Sequence, residues 1–127
     1  VVIAIIGLLA SVVLLALNSA RQKARDAKRL ADIRQLSTAL ELYFNTNDGY
    51  PVSASTAAME TIAGLTPTHI GQIPTAPTPV DGPCSSGENS YSYEADTASA
   101  YTITFCLGAN TAGYSSGPRS LTPVGIQ

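Results

Sequence analysis

Hydrophobic and polar positions divide this chain into three unequal stretches. From Val1 to Leu17 every position except Ser11 is apolar, and no Gly, Pro or turn cluster lies between Leu17 and Arg21, where a strongly charged stretch begins. A signal peptide would end in small residues and a cleavage site, and an ordinary anchor would give way to a linker. With no Pro and with Gly7 as its one glycine, the segment from residue 1 to about 45 reads as a single helix. At about 1.5 Å per residue it is roughly 65–70 Å long, more than a domain of this size can bury, so part of it must project.

Beyond the oily run the apolar residues thin out to one stripe. Leu30, Ile33, Leu36, Leu40, Tyr43 and Phe44 recur at helical spacing and suit a face laid on a sheet. On the other side Ala20, Ala24, Ala27 and Ala31 form a narrow seam. Small residues let a second helix approach closely, and Ala is also simply the best helix former; both readings stand. Asn45 to Pro51, NTNDGYP, ends the helix with turn formers, with Gly49 available for a positive φ and Pro51 unable to continue.

The third stretch is broken by turns. ASTAAMETIAGL (54–65) is expected to form a short helix with Met59, Ile62 and Leu65 inward. The proline-rich run after it reads as an extended surface loop. SYSYEA (90–95) and AYTITFCLG (100–108) alternate and are rich in β-formers, which predicts a hairpin with Tyr101, Ile103, Phe105 and Leu107 on one face. The polar tail admits a short strand near RSLTPVGI. These elements predict an α+β fold: a projecting stem, 1–29, and a head, 30–127, made of the second half of the helix, a loop region 52–89, a hairpin 90–108 and a C-terminal loop region 109–127.

Charge sharpens this division. Six of the seven basic residues (Arg21, Lys23, Arg25, Lys28, Arg29 and Arg34) lie within 14 positions. The first 44 residues hold six cations against three acids, a net +3, and the rest hold six acids against Arg119, a net −5. Such asymmetry fits nucleic acid, an anionic membrane surface, or packing between copies. The basic residues are not interleaved with aromatics, and Asp26 and Asp32 stand among them. That points to ion pairs within or between subunits rather than a phosphate track, and no direct nucleic-acid contact is predicted. Cys84 and Cys106, an even pair in a small domain next to a membrane-like segment, favour a disulfide in an oxidising compartment. Two buried free thiols are the alternative.

Nothing assembles into a catalytic or cofactor set. His69 is the only histidine and sits in the proline-rich loop. Phosphate loops, HExxH and nucleophile elbows are missing from the sequence, and two cysteines with one histidine fall short of a structural zinc set. Asp81 and Glu88, flanking Cys84, read as solvated loop acids. The expectation is a protein without enzymatic activity and without cofactor or metal.

The VVIAIIG-LLA run, its Ala- and Arg-rich continuation, and the closing LYFNTNDGYP together resemble the N-terminal helix of bacterial type IV pilins and pseudopilins. The resemblance covers about the first 51 residues; the rest agrees in outline only. It implies a structural subunit of a helical extracellular filament, held in the inner membrane before assembly and handled by a prepilin peptidase and inner-membrane assembly machinery. Within it, Val1, Val2, Ile3, Ile5, Ile6, Gly7, Leu8 and Leu9, with Val12, Val13, Leu14, Leu15 and Leu17, are expected to pack the filament core. The Ala seam is a second packing surface, and Arg21, Lys23, Arg25, Lys28 and Arg29 make intersubunit charge contacts. By the motif the chain starts a few residues inside the family's mature N-terminus, so the family's acidic and methylated residues have no counterpart here. A proline common in the family is Leu15 here, and loosening of the helix between Gly7 and Leu15 is expected in a filament. The alternatives are a pseudopilin or minor pilin of a secretion or competence apparatus, and a simple membrane-anchored extracellular binding module. The family's major pseudopilins carry acidic calcium ligands in the C-terminal loop, whereas residues 97–127 hold no Asp or Glu.

Overall fold

A computed structural model describes all of residues 1–127. One α-helix, α1, runs unbroken from Val2 to Asn47. Five antiparallel strands follow: β1 (Ser53–Ala58), β2 (Ser92–Thr97), β3 (Ala100–Leu107), β4 (Gly117–Thr122) and β5 (Gly125–Ile126), ordered β1-β2-β3-β4-β5. This is an α+β arrangement in which a long apolar N-terminal helix packs through its second half on an antiparallel sheet, pilin-like in shape.

The stripe on α1 explains the packing. Leu30, Ile33, Leu36 and Leu40 are each at most 3% exposed, and Tyr43 and Phe44 are half-buried at the helix end. They meet Tyr93 of β2 and Tyr101, Ile103, Phe105 and Leu107 of β3, all buried, as the alternation predicts. Each fully buried aliphatic side chain contributes about 1.5–3 kcal/mol. Met59, Ile62 and Leu65 also point inward.

Three sequence expectations are corrected. The short helix over 54–65 is instead β1 followed by a single 3-10 turn, Met59–Thr61. Small Ser, Thr and Ala side chains there pair with β2, and no buried alternation marks the strand, because its residues are almost all solvent-facing. The C-terminal region 109–127, expected to be mainly loop with one short strand near RSLTPVGI, contributes two strands there, β4 and β5. β4 accepts Pro118 because that residue faces Cys106 on one side, while β5 pairs only with Leu121 and Thr122 on the other. The residue that turns left-handed to end α1 is Asp48, at φ 56°, not Gly49.

Candidate functional site

The first distinctive surface is the stem. Every residue from Val1 to Arg21 is exposed, and the large aliphatics among them, Val1 through Leu17, show between 41% and 101% of their surface. A Cβ on Gly7 would meet nothing within 4 Å. Mean hydropathy over the stem window reaches 2.5, with none of it buried. A contiguous, wholly exposed apolar surface of this kind marks an interaction site and suits an apolar environment such as a bilayer or a helix bundle. The helix is regular through Gly7–Leu15. Ser11, the lone polar residue, turns its hydroxyl back on the Leu8 carbonyl at 2.8 Å. Ala20, Ala24, Ala27 and Ala31 are all exposed and have no partner within the chain.

The second is the joint where the stem enters the head, and here the core stripe continues into charge. Stepping back from Leu30 and Ile33 by helical spacing reaches Asp26 and Arg29, which are 0% and 1% exposed. Asp26 Oδ1 accepts from Arg29 Nη1 at 2.7 Å and from the Gly108 N–H at 2.9 Å; Oδ2 accepts from the Ala109 N–H at 2.9 Å and more weakly from Thr111 Oγ1 at 3.4 Å. Arg29 Nη2 donates to Asn89 Oδ1 at 2.9 Å and to the Pro77 carbonyl at 3.2 Å, and Nη1 also reaches Asp81 Oδ2 at 3.3 Å. Arg25 forks onto Asp81, Nε to Oδ2 at 2.6 Å and Nη2 to Oδ1 at 2.5 Å. The four groups sum to zero charge. That balance is what allows two of them to be fully buried.

Next to it, Lys28 and Asp32 pair at 2.6 Å. The buried Tyr91 hydroxyl donates to Asp32 at 2.8 Å, and burial followed by that bond pushes its ionisation above the usual tyrosine range. The Arg25 fork, reinforced by Arg29, holds the Asp81 carboxyl below its ordinary value against the opposing effect of burial. Arg25 is raised in turn, first through its bond to Asp81.

The joint is also fastened covalently. Cys84 and Cys106 form a disulfide with Cα atoms 5.9 Å apart, tying the loop that carries Asp81 to the end of β3. The two backbones touch so closely that a Cβ on Gly82, which holds φ +57°, would lie 1.9 Å from the Gly108 carbonyl oxygen. Only glycine fits there.

The placement of the basic residues revises the charge expectation. Arg25, Lys28 and Arg29 find their partners inside the chain, leaving Arg21, Lys23 and Arg34 of the cluster exposed and unpaired. Asp81, read as a solvated loop acid, is 8% exposed and central to the joint. Sequence reasoning missed Asp26 and Asp81. Asp26 was within reach, since it lies four residues before Leu30 on the same face, whereas nothing local marks Asp81.

The site thus pairs an exposed apolar rod with a charge-neutral, multiply hydrogen-bonded socket that fixes the rod to the head. Comparison of the chain with known protein families, with curated proteins and with solved structures finds no match.

Proposed function

We propose that this chain is a structural subunit that polymerises through its N-terminal helix into a type IV pilus-like extracellular filament, and that the same helix holds it in the inner membrane before assembly. The observation that carries this reading is the combination of a wholly exposed apolar stem with a buried ionic joint at its root. A membrane anchor needs the stem alone and works equally well on a linker. A lattice subunit needs the head held at one angle to the stem, and the joint supplies that. Head-to-tail contacts repeated by one operator give an open helical polymer, driven by burial of the stem at about 25 cal/mol per Å².

A pseudopilin or minor pilin would assemble by the same contacts into a shorter or mixed fibre. The test is electron microscopy of material sheared from cells producing the chain, with mass spectrometry of the subunit. Thin helical fibres built of this chain in its disulfide form are the expected result. A chain that stays in the membrane fraction as a monomer would make the helix an anchor for a binding module.

A further inference from the structure

Of the charges left over after the joint is satisfied, Arg34 on the middle of α1, Glu60 after β1 and Arg119 on β4 stand singly, and the others gather at the two ends of the molecule. At the root of the stem Arg21 and Lys23 are exposed, make no hydrogen bond or ion pair within the chain, and have no acid before Asp26, which is buried. At the far end of the head the α1 terminus meets the β2–β3 turn: the Tyr50 N–H donates to the Ala98 carbonyl at 2.8 Å, and a Cβ on Gly49 would touch Ala98. This places Asp48, which caps the helix, and Asp96, two residues before Ala98, at the same end of the head. Both are exposed and neither has a side-chain partner.

This distal pole is left without a counter-charge. No Lys or Arg occurs between Arg34 and Arg119, and the last turn of α1 has no basic residue. The partial negative charge of the helix terminus therefore adds to Asp48 instead of being offset. Glu41 and Glu94, the neighbouring acids, are already engaged by Tyr50 and Thr56 at 2.7 Å each.

The two poles sit on one unbroken helix, separated by about 40 Å at 1.5 Å per residue. They cannot meet within a molecule. We propose that the distal acidic pole of one copy, Asp48 and Asp96, docks on Arg21 and Lys23 at the stem root of a second copy, head to tail. The contact is heterologous, with different surfaces on the two partners, so it does not close on itself and adds subunits without limit. Exposed pairs of this kind set orientation and register more than affinity, while the stems supply the driving force. The inference rests on the filament reading above.

Carbodiimide cross-linking of assembled fibres, which joins a lysine to a carboxylate in direct contact, tests it. Lys23 and Lys28 are the only lysines, and the Lys28–Asp32 pair is an internal control that links in any folded copy. A Lys23–Asp48 or Lys23–Asp96 peptide pair is expected in fibres and, given the separation, is necessarily intermolecular. Charge reversal gives a second readout. R21E/K23E and D48K/D96K should each lose fibres, and the four-fold variant should regain them; intact subunit mass and disulfide show that the variants fold.

Wild-type fibres that carry the control link but no Lys23 link to the distal acids would overturn the inference and leave the filament reading standing. So would single-sided reversals that still form fibres, or a four-fold variant that does not recover. Absence of wild-type fibres would overturn both.

Discussion

Asp26 shows how much one buried carboxylate can hold. Four donors converge on it from the helix, the end of β3 and the segment beyond. Asp26→Ala would leave the Gly108 and Ala109 N–H groups without their acceptor and the buried Arg29 guanidinium with one carboxylate in place of two. Breaking one side of a buried pair costs about 3–5 kcal/mol. Lys28→Ala, at a side chain 50% exposed, should cost under about 1 kcal/mol. Thermal melts of the detergent-solubilised subunit check the contrast, and equal losses would contradict a joint centred on Asp26. Acid adds a second check. The Asp81 carboxyl is depressed below its ordinary value of 3.8, so its contribution is fully present above that value and is lost as pH falls through the lower folded value. The Asp81 contribution should therefore hold from neutral pH down toward 3.8 and disappear below it. The effect is read as the difference between melting curves of the wild type and Asp81→Asn, which should converge in acid. Curves that stay parallel throughout would contradict it.

At the scale of elements, the faces of α1 do different jobs. The Ala seam faces solvent in the subunit, so Ala27→Leu should change its melting free energy by no more than about 0.5 kcal/mol. If the seam packs helices in the filament, the same substitution should reduce fibre yield by blocking close approach. Unchanged yield would mean that these alanines serve only as helix formers. The faces also differ in how far sequence reveals them. Leu30, Ile33, Leu36 and Leu40 declare the sheet-facing stripe by spacing alone, and Tyr101 to Leu107 declare the matching strand. Asp26 and Arg29 extend that same stripe but read as surface ion-pair formers, because their burial depends on Asp81, which is 52 residues from Arg29 in sequence. β1 escapes notice because its side chains are small and mostly exposed on both faces. β4 is legible only as part of one short strand near RSLTPVGI, and its start is masked by Pro118, tolerated because the short β5 leaves that end of the strand free. Local patterns carry local elements, and what depends on pairing between distant segments has to be seen folded.

The whole molecule is a rod with a head seated on its far half. The stem from residue 1 to 21 extends roughly 30 Å beyond the joint at 1.5 Å per residue. It is therefore a lever arm: each degree of tilt at the socket moves its tip by roughly 0.5 Å on that length. A gap of about 0.5–1 Å already forfeits a quarter to a half of a van der Waals contact. For anything packed along the stem to fit from root to tip, the socket must hold its angle to within a degree or two. A single salt bridge on flexible side chains tolerates far more play. Arg29 held at once by Asp81, Asn89 and the Pro77 carbonyl of the loop that the disulfide staples to β3, with Asp26 beside it on the helix accepting from the Gly108 and Ala109 N–H groups, leaves little room for that swing.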